Sequence, residues 1–340
     1  MSTSELPGHI ASTQLSPLAK LPTELVIYIL ELAATSSKPT AAALARTCKL
    51  LRQIIEPILY RTVVLHNQHQ NELFARTLAE KDPQFFKENM RRFAPAPTKG
   101  SPAAMSMGPS IAEAGGVQDH HRAHGTGYHA AHGHHANHGH HGGWRWQALG
   151  GVRALMMSAA CRLTDDDTGH ARPNEVAIRG FVKPAFFAYP AFASVTHLLI
   201  CDVPWLYTSV LQQLGEALPY LPALTHLACP YSNKWRGDDH DSLAQVSLLL
   251  GLPTGSPLPP PERRPTLKML IISVFHFGEP DLERESPLWA QVASLADDSR
   301  LFLQPGEAFS VAKWEAATTG GEDVWEEARR QAEGWRSWVR

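Results

Sequence analysis

The sequence is poor in the features that mark secreted, membrane-spanning and nucleic-acid-binding proteins. Its 340 residues contain four cysteines without a CxxC pair, so we expect reduced thiols and no disulfide framework or zinc site. No apolar run approaches the roughly 18 residues of a membrane span, and residues 1–17 lack the layout of a secretory signal. The formal net charge of −2 gives no attraction to nucleic acid or anionic lipid. These absences predict an intracellular protein, cytoplasmic or nuclear, without nucleic-acid or membrane partners.

The sequence also lacks the short motifs that commonly mark catalytic sites. It contains no GxSxG elbow, phosphate-binding glycine loop, HExxH helix or dinucleotide fingerprint. An acidic run at residues 165–167 lies among turn-forming residues and indicates a solvated loop. The sequence therefore predicts a protein that is not an enzyme, with no catalytic residues, no metal site and no cofactor.

Residues 21–65 contain three short helical patterns. The first begins at Leu21 and Pro22, the second at Pro39, and the third carries Pro57, which is predicted to bend or shorten its end. All three patterns are apolar on more than one face. A unit this small cannot bury so much apolar surface by itself. Part of that surface is therefore predicted to face another chain or the rest of this one.

These residues resemble an F-box, the module that docks substrate receptors onto the Skp-type adaptor of cullin–RING ubiquitin ligases. The matching signature is LPxELxxxIL at residues 21–30 and LxxxCKxxR at residues 44–52, and residues 59–65 resemble the exit of fungal F-box-like proteins. The resemblance implies that seven residues face the adaptor: Leu21, Pro22, Leu25, Ile29, Leu44, Cys48 and Leu51. The alternative is a scaffold that needs no adaptor, in which these helices only cap the following domain.

Composition divides the remainder of the chain. We predict an F-box-like domain at 15–65, a helical linker at 66–93, a disordered insertion at 94–143, a repeat domain at 144–305 and a helical tail at 306–340. The insertion is rich in Ala, Gly and His and offers no core. It holds ten histidines within residues 120–141; these could bind a metal, although a flexible insertion without a metal is the favoured interpretation.

The region after the insertion contains a repeat. Residues 195–200 and 224–229 share a Thr-His-Leu core and lie 29 residues apart. The same LxxLxL rhythm begins at Val152 and at Leu267, and each of these copies lies 43 residues from the adjacent central copy. Irregular stretches at 165–175 and 251–265 account for the residues in excess of 29. The pattern resembles leucine-rich repeats and implies short strands, each followed by a helix, stacked in an irregular α/β solenoid. An ordinary α/β domain is the alternative.

The strand alternation predicts which side chains are free for recognition. Leu198 and Ile200 point inward, so His197 and Leu199 lie on the opposite, concave side, with His226 stacked beside His197. Aromatic residues near the strand ends are the types enriched at binding hot spots. The predicted target-binding residues are His197, Leu199, His226, Met269, Trp205 and Trp235. Ordinary surface histidines and packed aromatics are the alternatives.

The tail is predicted to end in an amphipathic helix at residues 321–340. Its large apolar and small residues recur at steps of three and four, at Trp325, Ala328, Ala332, Trp335 and Trp338. We expect this helix to cap the open end of the repeats. Taken together, the sequence predicts a substrate-recognition subunit of a Skp–cullin–F-box ubiquitin ligase, with an unknown target protein.

Overall fold

The chain divides into two compact units, one ending at Thr62 and the other beginning at Val63. The computed structural model describes residues 20–96, 146–158, 171–180, 183–201, 210–232, 242–252, 267–275, 292–295, 297–305, 309–318 and 321–339. The fold is mixed α/β, with helices at the N-terminus and an open sheet of eight strands in the second unit. No helix in these ranges is long and apolar enough to cross a membrane.

The first unit consists of three helices, as the sequence predicts. They are α1 (Thr23–Ser36), α2 (Lys38–Thr47) and α3 (Lys49–Arg61). Pro22 occupies the N-cap position of α1, and the Ser37 side chain accepts a hydrogen bond from the Thr40 amide at the start of α2. Pro57 lies inside α3, but the helix continues to Arg61, so Pro57 does not end the helix.

The core of the first unit is small. Its buried side chains are Ala34, Ala41, Ala45 and Ile55, and the partly buried Leu30, Leu44, Ile54, Ile58 and Leu59 pack against them. Three of the four buried residues are alanines, which allow the helices to approach closely but bury little apolar area each. Several larger apolar side chains of the unit therefore lie outside this core and are exposed.

The second unit is built on a sheet whose strands follow one another in chain order. The strands are β1 (Thr62–Val64), β2 (Arg92–Ala94), β3 (Ala154–Ser158), β4 (Glu175–Arg179), β5 (His197–Cys201), β6 (His226–Ser232), β7 (Met269–Phe275) and β8 (Leu301–Pro305). Every pairing from β2 to β8 is parallel. Strands β3 to β7 are almost entirely buried, as is usual for parallel sheets covered on both faces.

Helices connect and cover these strands. They are α4 (Gln68–Glu80), α5 (Pro83–Asn89), α6 (Val210–Ala217), α7 (Ser242–Leu249), α8 (Val311–Thr318) and α9 (Val324–Val339). Short 3₁₀ helices occupy Trp146–Leu149, Pro184–Ala188, Pro190–Ser194, Leu218–Tyr220 and Ala293–Leu295. Helix α6 packs against β6 and α7, so the connections after β5 and β6 lie beside each other.

The four strand segments predicted from the LxxLxL rhythm are all strands, namely β3, β5, β6 and β7. The predicted equivalence of His197, His226 and Met269 is confirmed, because the three residues are register partners. Strand β4 is not predicted by the repeat pattern, and its first residue, Glu175, lies in a stretch that the pattern leaves irregular. The interval between β3 and β5 thus contains an additional strand. Strand β8 was also missed.

The linker and the insertion differ in part from the predictions. Residues 66–93 contain α4 and α5, but Arg92 begins β2, which pairs with β3. The predicted insertion begins too early. Ala94 belongs to β2, and the side-chain amide of Asn71 both donates to and accepts from the backbone of Ala96. The rest of the insertion, with its histidine tract, lies outside the described residues, as do Trp205 and Trp235.

The predicted terminal helix is present as α9, but its position differs from a simple end cap. Helix α9 packs against β8, the last strand, and buries Trp325, Ala328 and Ala332. Trp325 also contacts side chains of β5 and β6. The helix therefore covers a face of the sheet, because an open parallel sheet leaves an apolar face that has to be shielded from water.

Candidate functional sites

Helix α1 exposes a row of large apolar side chains. Leu25, Tyr28 and Leu32 are 49%, 62% and 59% exposed, respectively. Steps of three and four residues place side chains on one side of a helix. We call the group formed by Leu21, Leu25, Tyr28, Ile29 and Leu32 the apolar stripe. Contiguous exposed apolar surface of this kind is typical of interaction sites.

The residues that the F-box resemblance assigns to the adaptor have different environments. Leu21, Leu25 and Ile29 belong to the apolar stripe, and Pro22 and Cys48 are also exposed. Leu44 and Leu51 are only partly exposed, and Leu44 packs against the core of the unit. Tyr28, Leu32 and Leu50, which are among the most exposed large apolar residues, were not predicted. The spacing of Leu21, Leu25, Tyr28 and Leu32 is the signal that could have identified Tyr28 and Leu32 as exposed residues.

The sheet carries a second group of interest, at the amino ends of its strands. Strand register places Arg92 next to Ala154, Ala154 next to Glu175, Glu175 next to His197, and His197 next to His226. Neighbouring strands lie about 4.8 Å apart, so these side chains form a line across one face. We call Arg92, Glu175, His197 and His226 the polar row.

The two histidines of the polar row are stacked. Their ring centroids lie 4.1 Å apart, with an angle of 11° between the ring planes. Each ring Nδ1 is hydrogen-bonded to the hydroxyl of the preceding threonine, at 2.9 Å from Thr196 Oγ1 and 2.8 Å from Thr225 Oγ1. The repeated Thr-His-Leu sequence thus produces the same local geometry twice, and parallel pairing brings the two copies together.

Trp325 of α9 contacts both histidines. Its ring centroid lies 5.4 Å from that of His197 and 5.5 Å from that of His226, with interplanar angles of 67° and 73°. Because the indole is almost equidistant from two stacked rings, it lies against the edges of both. Edge-to-face contact of this kind is favourable for aromatic rings. The buried indole therefore fixes the start of α9 on the sheet.

The surroundings of the histidine pair disfavour protonation. The pKa of His226 is lowered to about 4, mainly by burial and in addition by the nearby His197, Arg329 and Lys268. Burial also lowers the pKa of His197; Arg329 adds to this effect, while Asp323 opposes it. Both rings are accordingly neutral at pH 7.

Glu175 and Arg92 hold the C-terminal helices at the other end of the polar row. Glu175 Oε1 accepts a hydrogen bond from Trp314 Nε1 at 3.1 Å, and Arg92 Nη1 donates to the Ala317 carbonyl at 3.3 Å. Burial raises the pKa of Glu175, with a further contribution from Asp323, whereas Arg92 and the Trp314 hydrogen bond act in the opposite direction. The carboxyl group therefore resists ionisation more than an exposed glutamate.

A cavity of about 170 Å³ lies between the sheet and the C-terminal helices. Arg92, Glu175, Lys313, Trp314 and Asp323 contribute to its lining. Its volume is well below the roughly 300–1,000 Å³ of typical ligand pockets. Among the residues that the structure describes, no group of three or more His, Cys, Asp or Glu side chains is arranged to hold a metal ion.

The predicted open, concave face is covered in the structure, and this corrects the sequence analysis. Leu199 and Met269 are only 4% and 2% exposed, whereas His197 and His226 are partly exposed. Of the predicted target-binding residues, the structure thus brings together the two histidines. Trp325, Trp314 and Glu175 were not predicted as parts of this site. The two tryptophans occur in helical patterns, but a pattern does not indicate which surface a helix packs against.

No family model matches this chain, no curated protein is significantly similar to it, and no solved structure significantly matches its fold.

Proposed function

We propose that this protein is a non-catalytic recognition subunit of a cullin–RING ubiquitin ligase. In this proposal the first unit docks onto a Skp-type adaptor through the apolar stripe, and the second unit recognises a target protein. The single observation that carries the proposal is the exposure of four large apolar side chains along α1, with Leu21 exposed just before it, in a unit whose own core is mostly alanine.

The energetics of the apolar stripe favour a role in binding. Burial of a large aliphatic side chain contributes about 1.5–3 kcal/mol, and the stripe leaves much of this contribution unused in the isolated chain. An amphipathic helix that places residues at i, i+3, i+4 and i+7 into a partner's groove is a common recognition mode. Leu25, Tyr28, Ile29 and Leu32 follow that spacing on α1.

The F-box resemblance supplies the identity of the partner. Leu21, Leu25 and Ile29 belong both to the LPxELxxxIL signature and to the exposed stripe. Adaptor docking explains both properties with one role. By contrast, helices that merely cap a neighbouring domain have no need for a core of their own, and the first unit has one.

The architecture of the second unit supports its assignment as the target-recognition part. Parallel strands that follow one another in chain order, with two copies of Thr-His-Leu in register, are consistent with a degenerate leucine-rich-repeat-like solenoid. Such arrays use extended surfaces to bind other proteins. The stacked histidines and their surroundings are the part of this unit that we connect with recognition.

Copurification with a purified Skp-type adaptor tests the proposal. The double variant Leu25→Ala/Ile29→Ala shortens two members of the apolar stripe and should lose most of the adaptor captured by the wild-type chain. A matched control is Leu73→Ala/Tyr220→Ala, which shortens two exposed apolar residues of the second unit and should bind like the wild type. Equal capture by both double variants, or no capture by the wild type, would contradict the proposal.

A further inference from the structure

The contact between α9 and the sheet is polar at its start. On the same face, one step further along the strands, Leu199, Ala228 and Ile271 are buried and apolar. At the polar row, however, the contact contains two histidines and a glutamate that remain partly exposed. Interfaces between separable bodies are more polar than permanent cores. The surface beneath the start of α9 therefore has the composition of an interface that can open.

We propose that the histidine pair and the adjoining Glu175 and Leu199 form a docking site for a helix of a partner protein. The partner helix presents an indole, with a carboxylate two residues before it, and Trp325 and Asp323 occupy the site when the partner is absent. This inference rests on the proposed function, since it assigns a chemical class to the target. We call the group formed by Glu175, His197, Leu199 and His226 the docking site.

The geometry of the docking site explains the preference for an indole. The threonine hydroxyls fix both imidazole rings, so the two ring edges form a preformed platform. Trp325 contacts both edges at nearly the same distance. A flat aromatic side chain can contact both edges at once, and its edge-to-face contacts are favourable. A shorter aliphatic side chain would leave part of the platform empty.

The start of α9 explains the preference for a carboxylate. Asp323 Oδ1 accepts a hydrogen bond from the Trp325 amide at 3.2 Å, and so caps the helix that carries the indole. Its charge favours the protonated forms of His197 and Glu175, so the carboxylate contributes as the helix cap and not through attraction to a positive charge. Further along α9, the small residues Ala328 and Ala332 are buried. The matching partner sequence is therefore Asp-x-Trp at a helix start, followed by small residues three and seven positions after the tryptophan.

The resident helix must be displaced before a partner can bind. Helix α9 is part of the same chain, so its effective concentration at the docking site is high. The apparent affinity for a partner is then reduced in proportion to the fraction of molecules in which the site is open. A substitution that weakens the resident contact should increase the affinity for a competing helix.

A labelled peptide of residues 321–339, added to the full-length protein, tests this proposal. Full-length Trp325→Ala is expected to bind the peptide at least 10-fold more tightly than the wild type, because the resident anchor is lost. Tyr220→Ala removes an exposed aromatic side chain elsewhere in the same unit and should bind like the wild type. A peptide with the same tryptophan replaced by alanine should bind to neither protein. Adding His197→Ala and His226→Ala to the Trp325→Ala protein should abolish peptide binding.

The proposal is overturned if folded Trp325→Ala protein captures no peptide, or binds both peptides equally. Because Trp325 is buried and its loss could unfold the protein, hydrogen exchange of the wild-type chain provides an independent measurement. Amides of α9 are expected to exchange faster than those of β5 and β6, since the helix opens while the sheet persists. Equal protection of helix and strands would contradict the proposal.

Adaptor binding measured on the same preparations separates this inference from the proposed function. Peptide capture without adaptor binding contradicts the ligase role but leaves the docking site intact. Adaptor binding without peptide capture contradicts the docking site alone.

Discussion

His197 and His226 are 29 residues apart in sequence, yet their rings stack with centroids 4.1 Å apart. Parallel pairing of β5 and β6 places them side by side, and Trp325 closes the edges of both rings. Two positive charges at this distance repel each other. The folded state is therefore sensitive to acidification at this position.

The first prediction concerns pH. Unfolded histidines titrate near 6.5, but the folded pair resists protonation, with the pKa of His226 lowered to about 4. Between these values the unfolded state binds more protons, so the free energy of unfolding falls as the pH is lowered. We expect a loss of about 1 kcal/mol between pH 7 and 5, after allowance for the partial exposure of the rings. Urea unfolding at pH 7 and pH 5 measures this change in the free energy of unfolding.

The charges around the pair determine how this measurement has to be controlled. Lys268 and Arg329 disfavour protonation of His226, and Asp323 favours that of His197. Glu175 acts in the opposite direction, because its raised pKa contributes stability that is present at low pH and is lost as pH rises through that pKa. The variant His226→Gln retains the Glu175 effect and should show a smaller loss on acidification. An unchanged loss in this variant would exclude His226 as its source.

The second prediction concerns the threonines that hold the rings. Thr196→Val keeps the shape of the side chain but removes the hydroxyl that is bonded to His197 Nδ1 and that donates to the Asn174 carbonyl. We expect a decrease in the free energy of unfolding of about 1 kcal/mol, together with a change in the NMR signals of both imidazoles. Thr77→Val, which removes a hydroxyl that donates to the Leu73 carbonyl within α4, should leave the imidazole signals unchanged. Unaltered imidazole signals in Thr196→Val would show that the hydroxyl does not orient the ring.

The third prediction concerns Glu175. Glu175→Gln retains an oxygen that can accept the hydrogen bond from Trp314, so its stability at pH 7 should be close to that of the wild type. Glu175→Leu leaves the indole N–H of a buried tryptophan without its acceptor, and should cost about 1–3 kcal/mol. Chemical unfolding of both variants provides the comparison. Equal stability of the two variants would mean that the hydrogen bond contributes little.

The fourth prediction distinguishes a docking module from a cap. A chain that begins at Thr62 lacks the three helices of the first unit but keeps all eight strands. If those helices form a docking module, the shortened chain should remain monomeric and retain the thermal transition of the sheet. If the sheet needs those helices as a cap, their removal should expose apolar surface and cause aggregation. Size-exclusion chromatography and circular dichroism measure the two outcomes.

Much of the fold could be predicted because its signals are local. The aliphatic runs of β5 and β7 and the Thr-His-Leu repeat shared by β5 and β6 predict both the strands and the stacking of the histidines. Strand β4 was missed because its central residues, Val176, Ala177 and Ile178, form a short run next to turn-forming residues. Its burial depends on pairing with β3 and β5 rather than on its own composition.

The candidate site on the sheet could be predicted only in part. The repeat identified His197 and His226, but the cover over them comes from α9, which follows β6 by many residues. An amphipathic pattern predicts that Trp325 and Ala328 share an apolar side, but not which surface they cover. Leu199 and Met269 were therefore expected on an open face and are buried under other elements. On α1, by contrast, the shared side of Leu25, Tyr28, Ile29 and Leu32 follows directly from helical spacing.

The affinity of the full-length chain for a purified Skp-type adaptor, measured by calorimetry, tests the central claim most directly. We expect Leu32→Ala, which shortens the apolar stripe outside the F-box signature, to weaken binding about 10-fold, as a loss of about 1.4 kcal/mol requires. Leu73→Ala, at a similarly exposed position of α4, should leave the affinity unchanged. Wild-type binding that is insensitive to Leu32→Ala, or no binding at all, would contradict the account.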